Sequence, residues 1–283
     1  MLTQALEGVD KLAPTDGETV ILIVDNDREA SARGVVDKFR QATGIPVIYC
    51  VEPEPGLVSA RNRLLEEALR TGARFMACFD DDAVPEPGWL VNLQRVQTET
   101  GATAVAGPQV NDCEAISRTN EHHPLFIPEG SEREKFGTGN YIIDLDFIRK
   151  HGVRFDPQFN FTGGEDIDFS ATAHKAGAMF VWTNNAVTRG LTHPERLSMW
   201  ASFKRTIGLT QAYMLVRLKH RGNKPWAYWV STLSVKLAIA LLTFPIHALR
   251  GKEVRQRRAV KCAEYLGRLL FFCGVRVYPY RKS

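Results

Sequence analysis

Short apolar runs ending in polar turn residues alternate with helically spaced stretches over the first eighty residues, and this alternation constrains the fold more than any other feature of the chain. TVILIVDN (19–26) is β-rich, and SARGVVDKFRQATG (31–44) then has helical spacing and closes on Gly44. IPVIYCVE (45–52) reads as a second strand. SARNRLLEEALRTG (59–72) reads as a second helix with Ser59 as N-cap and Gly72 as C-cap, and RFMACFD (74–80) reads as a third strand. Strands and helices in this order predict a doubly wound, mostly parallel α/β sheet. Ligands of such sheets bind at the C-terminal ends of the strands, and Asp80, Asp81 and Asp82 stand at one of those ends.

Three adjacent carboxylates repel one another and disfavour strand structure, so something positive belongs nearby. A divalent cation carrying a phosphorylated ligand would serve, because Mg²⁺ and Mn²⁺ prefer hard oxygens shared between carboxylates and phosphates. A solvated acidic loop is the alternative. NFTGGEDIDF (160–169) supplies a second acidic group, Glu165, Asp166 and Asp168, ahead of a helix reading DFSATAHKAG (168–177). Acids at a helix start suit its dipole, but Gly163 and Gly164 also suggest backbone approaching a ligand closely. Two such sites are what a metal-dependent transfer with a general base requires.

The chain of 283 residues is 44% hydrophobic and 24% charged, a globular composition that excludes disorder. Cys50, Cys78, Cys113, Cys262 and Cys273 are scattered without a CxxC pair, as reduced cytosolic thiols are. The net charge of +4 hides an asymmetry: residues 201–283 hold 17 Lys or Arg against Glu253 and Glu264, which is +15, leaving −11 for residues 1–200. A basic tail seeks an anionic partner. Within it, the 25 residues 225–249 carry only Lys236 as a charge. Their length could span a bilayer, but Lys236 and Pro245 interrupt them, so an interfacial or re-entrant helix and a buried helical hairpin are the other readings. Trp226, Tyr228 and Trp229 beside Lys224 suit headgroup level. An apolar run among the charges argues against a nucleic-acid-binding tail.

IVDND (23–27), GLVSARNRLLEEA (56–68), FDDDAVPEPGWL (79–90), GTGNYIID (137–144), FDPQFNFTGGEDIDF (155–169) and the region of Arg196 together resemble a family 2 glycosyltransferase of the GT-A fold. The resemblance is to the bacterial branch that assembles exopolysaccharide repeat units, the succinoglycan-type glucosyltransferases. It covers residues 19–200 and implies a GT-A domain over 1–200, with a basic, apolar helical extension over 201–283.

The resemblance also implies roles. Asp80 and Asp82 take the outer places of a DxD element, with Asp82 a ligand of Mn²⁺ or Mg²⁺ and Asp80 approaching the ribose or the metal. Asp166 becomes the general base toward the acceptor hydroxyl, Glu165 orients neighbouring groups, and the reaction inverts the anomeric carbon. Asp25, Arg61 and Asn62 are candidates for the nucleotide, Asn140 and Trp89 for the donor or acceptor sugar, and His193 for a third metal ligand. A turn-forming Asp25, a surface Arg61, a turn at Asn140, a core Trp89 and an ordinary loop His193 are the alternatives. Arg189 departs from the acid expected near that position. The implied donor is a nucleotide-sugar, a UDP-sugar by preference. The implied acceptor is a lipid-linked saccharide at the cytoplasmic face of the membrane. A nucleotidyltransferase, for which no Gly- and Lys-rich nucleotide loop is visible, and a non-catalytic partner subunit are the rival readings.

In sheets of this family an apolar strand and a helix precede the strand matching TVILIVDN. The helical spacing of Leu2, Leu6 and Val9 places the start of this chain inside that helix. The expectation is therefore that a central strand, between 19–26 and 74–80, is missing.

Overall fold

The structure is a computed structural model and describes residues 1–110, 127–191, 199–221, 234–240, 242–243 and 251–279. The expected alternation is present. It runs α1 (Leu2–Val9), β1 (Ile21–Asp25), α2 (Arg33–Ala42), β2 (Val47–Val51), α3 (Leu57–Arg70) and β3 (Phe75–Phe79). β4 (Ala83–Pro85), α4 (Trp89–Thr100), β5 (Ala104–Ala106), β6 (Gln109–Val110), β7 (Glu132–Arg133), β8 (Asn140–Asp144) and α5 (Leu145–His151) follow. After α6 (Glu165–Lys175), β9 (Phe180–Trp182) and β10 (Thr188–Gly190) come the long helices α7 (Met199–Arg221) and α8 (Lys252–Phe272).

α1 confirms the helical spacing at the start: Leu6 and Val9 are buried, and Gly8 lets the helix lie against β4, where a Cβ would come within 2.7 Å of Val84 Cγ1. The start of α3 departs from expectation. Its N-cap is Gly56, at φ 130°, and Ser59 lies inside the first turn. The cause is Asn26, whose Oδ1 accepts the Gly56 N–H at 2.8 Å while its Nδ2 donates to the carbonyls of Glu52 and Glu54. This side chain from the preceding strand end sets where the helix begins.

β1 and β2 pair in parallel, as the alternation requires. The larger sheet has the order β3-β8-β5-β9-β7 and is mixed, because β8 inserts antiparallel between β3 and β5 while β5 and β9 run parallel. A short sheet of order β4-β10-β6 stands beside these strands in sequence. Among the described residues β1 pairs only with β2 and β3 only with β8. Both strands stay half-buried along most of their length. The apolar core is built instead on the larger sheet, where Trp89, Leu93 and Val96 of α4 pack over Val105, Ile142 and Val181. Each such side chain contributes about 1.5–3 kcal/mol when fully buried.

The chain forms two compact units, Met1–Phe155 with Asp166–Thr192, and Asp156–Glu165 with His193–Ser283. Residues 156–165 belong with the C-terminal helices in the second of these units. In the second unit the backbones of α7 and α8 approach at Gly267, where a Cβ would meet Ile207 O at 3.0 Å. The Gln211 side chain, buried on α7, holds the C-terminal segment by donating to Val275 O at 2.9 Å and accepting from Val277 N at 2.8 Å. No helix among the described residues is long and apolar enough to cross a membrane. Most of residues 225–249, with Trp226, Tyr228, Trp229 and Pro245, lies outside the described residues.

Candidate active site

The aspartate triplet is resolved by a tight turn at the end of β3. Ala83 N donates to Asp80 O at 3.0 Å, and the reversal turns Asp81 to solvent while Asp80 and Asp82 stay half-buried. The positive charge that the triplet demands is Arg61, from the first turns of α3, with Nη2 at 3.7 Å from Asp80 Oδ1. Burial pushes the Asp80 carboxyl above its ordinary range, Arg61 pulls it back, and Asp82 and Asp81 push it further up. Gln109 also hydrogen-bonds Asp80 and favours its charged form. Nothing around Gln109 in the sequence marked it. It is found only because β6 ends beside the aspartate turn.

The GTGN stretch lies between the two acidic groups. Asp80 N donates to Gly139 O at 3.2 Å, and a Cβ on Gly139 would stand 2.8 Å from both Asp80 Oδ2 and Gln109 Oε1. Two residues earlier, a Cβ on Gly137 would stand 3.9 Å from Asp166 Oδ2. Two residues span at most about 7 Å, so the DxD turn and the Glu-Asp pair face the same short loop. A side chain at 139 would have to displace the Asp80 carboxylate or the Gln109 amide.

α6 opens with Glu165 and Asp166 after Gly163 and Gly164, whose φ values of 77° and 84° suit glycine. Glu165 is 4% exposed and Asp168 is fully buried, whereas Asp166 stays partly open. Asp166 is therefore the most open acid of this group. Phe169, one turn into α6, stacks on Phe155 with centroids 4.2 Å apart, and the Arg61 guanidinium lies over the other end of that contact, 5.7 Å from the Phe155 centroid. This stack ties the helix of Asp166 to the cation of Asp80.

Other expected residues have structural employment. Asn62 clamps the Phe155 backbone, donating to its carbonyl at 2.9 Å and accepting its N–H at 3.0 Å. Asn140, 3% exposed, gives its two amide hydrogens to Pro108 O and Ala186 O, and its Oδ1 accepts from Trp89 Nε1 at 2.7 Å. Both Asn140 and Trp89 are buried and bond to each other, because a buried indole and amide must satisfy their donors inside the protein. Asp25 accepts from Ala32 N at 2.9 Å and the Tyr49 hydroxyl at 2.7 Å, an arrangement that shapes the 26–32 loop. Burial raises the Tyr49 hydroxyl to about 12. Arg189 pairs with Glu86 at 2.6 Å. His193 and Arg196 lie outside the described residues, although Leu191, at the near edge, donates its N–H to Asp82 O at 2.6 Å.

Among the described residues no group of three His, Cys, Asp or Glu side chains is placed to hold a metal. Asp80 and Asp82 fit a hard cation that completes its shell with phosphate oxygens and water, as Mg²⁺ and Mn²⁺ do.

A family model for glycosyl transferase family 2 matches residues 1–158. The chain is 28% identical over 273 residues to the succinoglycan biosynthesis protein ExoM of Rhizobium meliloti (strain 1021), covering 93% of this chain and 86% of that protein. Among solved structures it resembles the mannosyltransferase PcManGT of Pyrobaculum calidifontis in complex with GDP-Man and Mn²⁺, with a TM-score of 0.64 at 15% identity over 95% of this chain and 81% of that one. It also resembles TarS 1–349 of S. aureus in complex with UDP, with a TM-score of 0.52 at 12% identity over 96% and 86%. At these identities the likeness in structure shows the fold.

Proposed function

The chain belongs to glycosyl transferase family 2, and from that premise we propose that it moves a sugar from a UDP-sugar to a lipid-linked saccharide, with inversion, in exopolysaccharide assembly. The observation that supports this most is the shared loop, with Gly139 against Asp80 and Gly137 facing Asp166. It brings a cation-binding carboxylate pair and a partly open carboxylate to one place, the requirement for direct displacement of a diphosphate by a hydroxyl.

In this reading Asp166 takes the proton of the acceptor hydroxyl as its oxygen bonds to the anomeric carbon and the bond to the departing diphosphate breaks. A carboxylate base in such a position contributes ~10²–10⁴-fold to rate. Asp80 and Asp82 would hold Mn²⁺ or Mg²⁺, which when bound supplies neutralisation of the diphosphate charge. Arg61 offsets part of the rise that burial gives the Asp80 carboxyl. The relatives support the parts of this reading: ExoM is named for succinoglycan biosynthesis, PcManGT is described with GDP-Man and Mn²⁺, and TarS with UDP. The lipid-linked acceptor places the reaction at the cytoplasmic face of the cell membrane, where the basic C-terminal region meets anionic lipid.

The test is Mn²⁺-dependent binding of a panel of UDP-sugars and GDP-mannose, followed by transfer to polyprenyl-diphosphate-linked saccharides. Selective UDP-sugar binding with transfer to the lipid-linked acceptor is expected. Preference for GDP-mannose would overturn the donor, transfer only to water-soluble saccharides the acceptor, and nucleotide incorporation into product the whole reading.

A further inference from the structure

Large apolar side chains turned to solvent along one helix face mark a surface that something else covers. Residues 234–240 and 242–243 are helical, and Val235, Ile239 and Leu242 are 59%, 56% and 77% exposed. Their i, i+4, i+7 spacing puts them on one stripe. Ala240, on the other side, is 3% exposed, so the helix gives its small residue to the protein and its large ones to solvent. Trp200 on α7, 72% exposed, is in the same compact unit.

The charge of the region selects the occupant. Residues 201–283 carry +15, so two copies facing each other through this region would repel, whereas an anionic lipid surface attracts it. Lys236 is exposed on the same helix and has the length to reach phosphate while its stem lies along apolar surface. Among the described residues of this helix the large exposed apolar side chains share one stripe, Ala240 is buried and Lys236 is charged, the pattern of a helix that lies in the interface.

We propose that the Val235, Ile239 and Leu242 stripe enters the headgroup–acyl boundary of an anionic membrane with its helix parallel to the surface, while basic side chains of the same unit meet lipid phosphates. This extends the proposed membrane-face placement to particular side chains and does not rest on the transfer reaction. The stripe then sets the depth at which the C-terminal unit rides on the membrane.

Co-flotation of the full chain with phosphatidylcholine vesicles, with and without phosphatidylglycerol, tests the proposal. Binding is expected only with phosphatidylglycerol and weakens as salt rises from ~0.1 M to ~1 M and the screening length falls from about 10 Å to about 3 Å. The triple variant Val235→Ser, Ile239→Ser, Leu242→Ser loses about tenfold or more in partitioning. Leu242→Trp, at an exposed site where folding is undisturbed, strengthens partitioning, a gain that misfolding cannot imitate. Mn²⁺-dependent UDP binding is measured on every variant and stays unchanged, which separates a failure here from a failure of the proposed reaction. Wild-type and triple-variant chains that float equally, or equal binding to neutral vesicles, would overturn the proposal. A wild-type dimer that the triple variant converts to monomer would assign the stripe to a second copy instead.

Discussion

The two acidic groups are held in opposite ways. Asp80 and Asp82 sit on a turn locked to a strand end, with Arg61, Gln109 and the Gly139 backbone within reach. Glu165 and Asp166 follow two glycines with positive φ, and the segment before them is placed by a helix far along the chain. Gly164 meets Ala212 of α7, where a Cβ would come within 3.0 Å of the Ala212 Cβ. Lys219 of the same helix donates to Asp156 Oδ2 at 2.7 Å and lies over the Phe159 ring at 5.7 Å. A sheet end holds the first pair of carboxylates at a fixed spot. The segment leading into the second acidic group, residues 156–165, is packed within the C-terminal unit.

The largest effect that would sharpen this contrast is at Asp166. Asp166→Asn is expected to cut turnover by ~10²–10⁴-fold with donor affinity nearly intact, read from single-turnover rates and UDP-sugar binding. Near-normal turnover would remove the base from this group. Asp82→Asn is expected to do the reverse, abolishing the Mn²⁺-dependent part of UDP binding because a neutral amide loses most of the attraction to a divalent ion. Titration calorimetry with and without Mn²⁺ reads it, and equal affinities in wild type and variant would dissolve the distinction between the groups.

A smaller effect is expected from Ala212→Leu, which pushes on Gly164 without touching either acidic group. Misplacement by a few tenths of an ångström should lower kcat by about tenfold and leave UDP affinity unchanged, with Ala212→Ser restoring most of the rate. A fall in UDP affinity of the same size would mean that α7 supports both groups alike. The smallest effect is at Lys219. The Lys219 hydrogen bond holds the Asp156 carboxyl below its ordinary range, so the pair stabilises at pH above that range and the gain is lost as pH falls through the lowered value. Lys219→Met should cost about 0.2–1 kcal/mol at neutral pH, and its denaturant midpoint should converge with that of wild type in acid. A difference constant with pH would show that packing on Phe159, and not charge, carries the contact.

Much of the molecule was legible in the chain itself. Alternating periodicity located β1, α2, β2, α3 and β3, since whether a segment coils or extends follows from which side chains must share a face. Asp80, Asp82, Glu165 and Asp166 stood out in the sequence because acids crowded at strand ends and glycine turns are costly without a partner. The spacing of Leu2, Leu6 and Val9 likewise predicted α1.

Tertiary structure decided what depends on residues distant in sequence. The start of α3 moved from Ser59 to Gly56 because Asn26, thirty residues earlier, captures the Gly56 N–H. The hydrogen bonds of Asn62 to Phe155, of Asn140 to Pro108 and Ala186, and of Trp89 to Asn140 all join distant parts of the chain. β8 entered the sheet antiparallel, and residues 156–165 joined the C-terminal helices, through contacts that no local pattern records. Periodicity reports how a segment divides its own side chains between inside and outside, since that division depends on neighbours along the chain. Which polar group satisfies which, and which helix lies against a glycine, is set by the distances that folding creates, and so Gln109, Ala212 and Lys219 became visible only in three dimensions.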